Sequence, residues 1–415
     1  MTETPTGRSR RLYLDNAATS FPKPGVVTEA MMRYATECGA SPGRGSYAEA
    51  QDAARVLWSC RERLTTLING DHADRPGDAV VFTLNTSDAL NLAIKGIVRQ
   101  RRMKSPSERV HLVTTAMDHN SVLRPFNALS ESGEVEWTCV PVDPSTGLVD
   151  PQELRRAIRP DTALVAVVHA SNVSGTIQPI AEIGSVCREC AVPLLVDAAQ
   201  SIGHVAIDVE AMGIDLLAFP GHKGLLGPLG TGGLYIRPGL ERLIATTREG
   251  GTGSLSEDDT HPLTMPDRFE SGSHNTVGIA GLDAALGWIL GRGPDSLFEH
   301  ERELTKQMLT LLADASSFPG LKLIGPALPA QRTCVFAVVH DTATPHEMAM
   351  ELEAGFGVLA RAGIHCAPRA HKSFGTLSRD GALRISFGPF VQPEDVRYAA
   401  DALSEVCRAH AGVGA

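Results

Sequence analysis

The chain has 415 residues, and 38 Lys and Arg against 48 Asp and Glu give it a formal charge of −10. That acidity disfavours nucleic acid and anionic membranes as partners. Hydrophobic residues at 43% and charged residues at 21% exclude a disordered chain, and the length predicts two or three globular units.

In chain order, Arg8, Arg10 and Arg11 sit among Thr, Pro and Gly and read as a solvated arm without the apolar core of a secretory signal. Strands are expected at Ala79–Leu84, Val110–Thr115, Val135–Val140, Ala163–His169, Pro193–Asp197, Ile214–Phe219 and Gly232–Ile236. Their Val, Ile and Leu run nearly unbroken, as in strands buried on both faces. Helical periodicity falls between them, at Tyr47–Ile68, Ser87–Arg102, Ser121–Ser130, Pro151–Ile158 and Ile180–Cys190. The alternation predicts an α/β fold with a mainly parallel sheet. Gly250–Thr264 is polar and reads as a long loop. Beyond it, helices at Val277–Gly291, Leu297–Ala313, Pro345–Gly355 and Pro393–His410 surround strands at Cys334–His340 and Ala382–Phe387, a smaller α+β unit.

The longest apolar run, Ala163 to Val168, is far shorter than the roughly 20 residues that span a bilayer. Eight cysteines in a chain of this length do not make a disulfide framework, so a reduced, cytoplasmic setting is expected.

The sharpest chemical signal is Phe219-Pro220-Gly221-His222-Lys223-Gly224, where a lysine leaves a buried strand into a glycine-rich turn. Ligands gather at the carboxyl ends of parallel strands, and a lysine desolvated there becomes a nucleophilic amine. One strand earlier, Leu194-Leu195-Val196-Asp197 ends on an acid. The ordered pair Asp197 and Lys223 suits pyridoxal phosphate, whose ring nitrogen a carboxylate keeps protonated. Asn85-Thr86-Ser87-Asp88 opens a helix after a strand and offers a phosphate seat, with an ordinary N-cap at Thr86 or Ser87 as the simpler reading. The third strand ends in Asp118-His119-Asn120-Ser121, where His119 would stack on a ring or relay protons. The next ends in His169-Ala170-Ser171-Asn172, where Asn172 would reach a ring hydroxyl or a substrate carboxylate.

Taken together, TSDAL, MDHNSVLRP, HASNVSGT, VDAAQS and GHKGLLGPLGTGG resemble the cysteine desulfurase/selenocysteine lyase family of class V aminotransferases. LDNAATSFPKP, RFESGSHNT, GIHCAP and LRISFGPF resemble the same family, so the likeness runs from about Leu12 to the last helix. It implies the fold type I of pyridoxal-phosphate enzymes, with a large domain built on a seven-stranded sheet, a small C-terminal domain, and a homodimer with its sites at the interface. The corresponding division is an N-terminal segment (residues 1–30) on the small domain, a large domain (31–260) and a small domain (261–415).

Carried over by motif, Lys223 would hold the cofactor covalently and Asp197 its pyridine nitrogen. Gln200 and Asn172 would address the ring hydroxyl, and His119 would stack on the ring. Thr86, Ser87 and His222 would hold the phosphate, joined by Ser273 of the partner subunit. Arg384 would clamp the substrate carboxylate.

Cys187 and Cys190 form a CxxC without a second ligand pair, so no metal site is expected. Cys38, Cys60, Cys139, Cys334 and Cys407 lie in apolar periodic segments and read as core fillers. Cys366 lies in a small-residue turn with Arg361 and His365 close by in sequence, and positive neighbours would favour its thiolate. It matches the family's sulfur-accepting cysteine, and the short Cys366-to-Arg384 segment resembles the short-loop branch. The resemblance implies conversion of L-cysteine to L-alanine with a persulfide on Cys366, and a sulfur-acceptor protein as partner.

Pro220 stands where the family usually has Ser or Thr; Ser273, His274 and Arg369 also depart from its pattern. Alternatives on the same scaffold are a selenocysteine lyase, a C–S lyase acting on an S-substituted cysteine, and an aminotransferase. A non-catalytic scaffold for a sulfur-transfer partner is the alternative outside the enzymes.

Overall fold

The computed structural model describes residues 11–43, 45–70 and 77–411. It opens with Leu12–Tyr13 (β1), Gly25–Arg33 (α1) and Ala48–Leu67 (α2). Seven strands follow: Val80–Thr83 (β2), His111–Thr115 (β3), Glu136–Val140 (β4), Thr162–Val168 (β5), Leu194–Asp197 (β6), Leu216–Pro220 (β7) and Gly232–Ile236 (β8). Between them run Thr86–Lys104 (α3), Asn120–Glu131 (α4), Pro151–Ala157 (α5) and Ile180–Glu189 (α6). All seven form one sheet in the order β2-β8-β7-β6-β5-β3-β4, and only β8 runs against its neighbours.

Side chains alternate across a strand, and the sheet carries two cores accordingly. Val113, Val165, Val167, Leu194, Val196 and Phe219 face one side. Leu112, Leu164, Ala166, Leu195, Leu216 and Ala218 face the other, against Leu90, Ile94 and Ile97 of α3 and Phe126 of α4. Burial on both faces explains the near-continuous apolar runs.

The second half contains Thr276–Arg292 (α7), Pro294–Leu312 (α8), Leu321–Ile324 (β9), Val335–His340 (β10), Pro345–Phe356 (α9), Val358–Leu359 (β11), Arg361–Gly363 (β12), Pro368–Ser373 (α10), Ala382–Ser386 (β13) and Pro393–Ala411 (α11). A four-stranded sheet, β12-β13-β10-β9, packs Phe336, Leu383 and Ile385 against Leu304, Leu352 and Leu403 of its helices. β1 pairs in parallel with β11, Leu12 opposite Val358, and Leu12 and Leu14 enter that same core. The short strands β1, β9, β11 and β12 escape sequence reading because, unlike the fully buried four-residue β2 and β6, they are partly exposed and write no continuous apolar run.

One element sits elsewhere than expected. α7, assigned from sequence to the smaller unit at 261–415, buries Ile279, Leu282 and Leu286 in the core of the large sheet. Its apolar residues are not confined to a single stripe, so it fills space between α1, α2 and that sheet. Arg8 and Arg10 lie outside the described residues; Arg11 pairs with Glu353 at 2.7 Å. Cys60, Cys334 and Cys407 are buried as expected of fillers, whereas Cys38 and Cys139 are only half-buried. No helix is long and apolar enough to cross a membrane among the described residues, and no group of three His, Cys, Asp or Glu there could hold a metal ion.

The large sheet is tied to the loop ahead of α7 by one buried ion pair. Glu270 accepts from Arg61 Nη2 at 2.6 Å and from the Phe82 N–H at 2.6 Å, with His274 Nε2 at 3.2 Å. Burial alone would raise its pKa, but Arg61, His274 and the Phe82 amide outweigh it and hold the carboxyl below the usual range. Glu270→Ala leaves Arg61 buried without a carboxylate and should destabilise the fold by about 3–5 kcal/mol at neutral pH. Because the folded pKa is depressed, this stability is present above the unfolded value and disappears as pH falls through the folded one. Denaturant melts across pH 3–7 check both: the gap between wild type and variant should close on the acid side.

Candidate active site

Five strand ends line a cavity of about 510 Å³: Thr86 and Ser87 follow β2, His119 and Ser121 follow β3, Asn172 follows β5, Asp197 and Gln200 close β6, and His222 and Lys223 follow β7. That volume suits one small ligand.

Asn85 is the residue that caps α3, its Oδ1 accepting from the Asp88 N–H at 3.0 Å. Asp88 Oδ2 accepts in return from the Leu84 N–H at 3.1 Å. The cap is therefore complete without Thr86 or Ser87, both of which line the cavity at the positive end of the helix.

His119 caps α4 in the same way, its Nδ1 accepting from the Ser121 N–H at 3.1 Å. That acceptor role puts the neutral ring's proton on Nε2. Burial, then the charges of Lys223 and Arg124, push its pKa to about 4, so the ring is neutral at pH 7. Ser121 Oγ lies 2.9 Å from His119 Nδ1 and 2.6 Å from Ser87 Oγ, joining two strand ends. Asp118 turns away from the cavity, its Oδ2 accepting from the Thr115 amide and hydroxyl.

Asp197 is 2% exposed and accepts from the Ala199 N–H at 2.9 Å. Burial raises its pKa, opposed by that amide and by Lys223. Burial lowers Lys223 to about 8; Asp197 opposes the drop, while Arg384 and Arg361 add to it. Burial penalises both charges, and lysine and carboxylate each partly restore the other's charged form.

His222 Nδ1 lies 3.1 Å from Thr19 Oγ1, and burial pushes its pKa to about 4. Gln200 Nε2 donates to the Ala17 carbonyl at 2.8 Å. Lys23 Nζ donates to Ser20 Oγ and to the His222 carbonyl at 2.8 and 3.3 Å. Residues 15–23 therefore close over the ends of β6 and β7. No role for Asp15, Ala17, Thr19 or Lys23 follows from their spacing in LDNAATSFPKP, because their partners lie about 180–370 positions away.

Arg384, on β13, is 2% exposed; its Nη2 donates to Asp15 Oδ1 at 2.7 Å and its Nη1 to the Asn172 carbonyl at 3.0 Å. Its Nε is buried without an acceptor. Asn172 Nδ2 donates to the His365 carbonyl at 2.5 Å, and the Cys366 carbonyl accepts from the Asn120 N–H at 2.9 Å. The Cys366 turn is thus fastened to the ends of β3 and β5, with the cysteine itself exposed.

His365 and Cys366 both take left-handed backbone conformations, φ 51° and 57°. Contrary to the sequence expectation, His365 gives Cys366 no positive neighbour: burial, then Arg384, push its pKa to about 2. Ser273 does not line the Lys223 cavity; with His274 and Glu270 it borders a neighbouring hollow of about 100 Å³. Arg369 lays its guanidinium over the Trp137 ring, 4.9 Å from the centroid, a packing reason for that departure.

A mainly parallel sheet whose strand ends carry a half-buried lysine and a buried aspartate, beside a small α+β unit, is the fold type I of pyridoxal-phosphate-dependent transferases. The aminotransferase class-V family profile matches residues 12–398, and the chain belongs to that family. It is 35% identical over 405 residues to the "probable cysteine desulfurase" of Methanothermobacter thermautotrophicus, covering 97% of this chain and 95% of that protein. The apo structure of a cysteine desulfurase from Thermococcus onnurineus matches with a TM-score of 0.86 and 30% identity, over 96% of this chain and 95% of that one. A cysteine desulfurase structure from Escherichia coli matches with a TM-score of 0.81 and 26% identity, over 96% and 95%.

An amine with a pKa near 8 is free base at a pH where surface lysines are still charged. Labelling of Lys223 by a small amine-selective acylating reagent, read by peptide mass spectrometry, should rise through about pH 8. Labelling that follows the surface lysines, with a midpoint near 10.5, would show that burial does not depress this amine.

Proposed function

We propose that this chain is a pyridoxal-phosphate-dependent cysteine desulfurase that converts L-cysteine to L-alanine and takes the sulfur onto Cys366. The observation that carries the reading is the half-buried Lys223 and the buried Asp197, lining one cavity at adjacent strand ends, with the Cys366 turn fastened to His119–Asn120 and Asn172 at the same edge.

The donor set fits the cofactor. Lys223 offers an amine, Asp197 a carboxylate for the pyridine nitrogen, and Thr86, Ser87 and His222 a phosphate seat at a helix N-terminus. Asn172 and Gln200 would face the ring hydroxyl, and His119 the ring. In a homodimer, Ser273 of the partner subunit would join the phosphate seat. Pro220 has no hydroxyl to add, a loss of about 1 kcal/mol for one neutral hydrogen bond. When bound, the group supplies an electron sink that stabilises negative charge developing at the substrate's Cα.

The chain's residues perform the rest. Arg384 orients the substrate carboxylate, sharing its planar fork with Asp15. Lys223 Nζ, as free base, removes the Cα proton. Asp197 holds a proton at the pyridine nitrogen. Cys366 Sγ, as thiolate, attacks the substrate sulfur; the new S–S bond forms as the Cβ–S bond breaks, and the electron pair stays with the carbon skeleton. Protonation there gives alanine and leaves a persulfide for an acceptor thiol. No external oxidant is needed.

Cys366→Ala should keep the cofactor's visible absorbance and bind cysteine, yet lose alanine formation by several orders of magnitude. Wild type given cysteine without reductant should add one sulfur mass to the Cys366 peptide. Near-normal alanine turnover in the variant, or pyruvate in place of alanine, would favour β-elimination by a C–S lyase instead.

Arg384→Lys keeps the charge but loses the fork, and should weaken cysteine binding far more than cofactor binding. Equal losses of both, measured by titration, would assign Arg384 to the fold and not to the substrate.

A further inference from the structure

Two turns bring Asp197 and Lys223 together, and they touch backbone to backbone. Gly203 has a φ of 80°, and a Cβ there would lie 2.3 Å from the Gly224 carbonyl oxygen. A Cβ on Gly224 would lie 2.2 Å from the Ile202 carbonyl oxygen and 2.8 Å from His204 Nε2. The His204 ring edge is therefore the wall against which the residue after Lys223 is set.

That ring is itself held. His204 Nδ1 donates to Glu301 Oε2 at 2.8 Å, and the two side chains are 11% and 5% exposed. Glu301 stands on α8, whose Leu304 and Met308 belong to the core of the smaller unit. The carbonyl of Glu301 also accepts from Thr305 Oγ1 and Cys334 Sγ, which fixes the residue in place. Hence a side chain of the smaller unit sets the ring that bounds the lysine turn of the large sheet.

We propose that His204, oriented by Glu301, is a positioning residue for Lys223. The ring edge fixes Gly224, and α8 fixes the ring, so the lysine's reach toward the cavity depends on how α8 sits. A buried ion pair used only for stability is poorly rewarded, because the desolvation of both partners offsets their attraction. Placement at the lysine turn supplies a different use for this one. Burial alone would lower the imidazole's pKa, but Glu301 outweighs it and the net direction is upward. The charged groups around the ring are Glu301 and Lys223, with Asp295, Glu299, Arg302 and Arg332 on the walls of the adjoining cavity of about 460 Å³.

The inference rests on the cofactor role of Lys223 in the proposed function. The full-length apo protein and its His204→Ala, His204→Asn, Glu301→Ala and Glu301→Gln variants are mixed with pyridoxal phosphate. The readouts are the rate of covalent attachment to Lys223, mapped after borohydride reduction, and the pH midpoint of the bound cofactor's absorbance.

His204→Ala and Glu301→Ala should slow attachment by about 10- to 100-fold, the usual penalty for a displaced reacting group, and shift the midpoint. Glu301→Gln keeps an acceptor for the Nδ1 proton and should stay within about threefold of wild type. Should the alanine variants not fold, His204→Asn decides, since it keeps a donor for Glu301 but removes the ring edge: attachment should still be slow. A folded variant lacking the ring edge, with wild-type attachment rate and midpoint, overturns the proposal. A wild type that attaches the cofactor but makes no alanine overturns the functional reading alone; one that attaches none overturns both.

Discussion

Parallel pairing of β3, β5, β6 and β7 is the constraint on which the rest of this molecule depends. Strands that run the same way must end at the same edge, and β2 joins them because two antiparallel pairings through β8 restore its direction. Whatever residue follows each strand therefore arrives at one rim. The helices that return the chain begin at that rim, so their positive ends point into it as well. Asn85 and His119 complete two of those helix starts and thereby leave Thr86, Ser87 and the His119 Nε2–H for the cavity.

Low local polarity then sets the chemistry. Lys223 and Asp197 are each pushed toward their neutral forms by burial, and each pulls the other back. An isolated lysine at that depth would lose its charge more completely, and an isolated aspartate would stay protonated further above its ordinary value. The pair leaves the amine titrating near 8, close to where a base must titrate to work at neutral pH. His119, His222 and His365 lack such a partner and are neutral, so fixed positive charge beside the site comes from arginines, Arg124, Arg384 and Arg361 among them.

The smaller unit contributes what the sheet cannot. Arg384 reaches the rim from β13 and is met there by Asp15 from the N-terminal segment. The Cys366 turn carries two successive non-glycine residues at positive φ, each costing roughly 1–2 kcal/mol. Hydrogen bonds from Asn120 and Asn172 to the turn's carbonyls hold it there. Strain kept in place by contacts with the opposite unit makes the thiol's placement depend on how the two units meet, as the His204–Glu301 contact does for the lysine.

By itself the sequence determined the large sheet and the chemical types at its rim. Strands buried on both faces write long apolar runs, and each run ends on a polar residue where the chain surfaces, which made Asp197, Lys223, His119 and Asn172 legible together. Periodicity found α7 but could not say which unit it packs in, because its apolar residues form no single stripe, and it missed the short, partly exposed strands β1, β9, β11 and β12. Tertiary structure alone decided that Asn85 is the cap, that His365 is neutral, and that residues 15–23 close over His222 and Gln200. It also paired His204 with Glu301, 97 positions apart. Those outcomes depend on burial and on contacts between distant segments, and neither is encoded in local spacing.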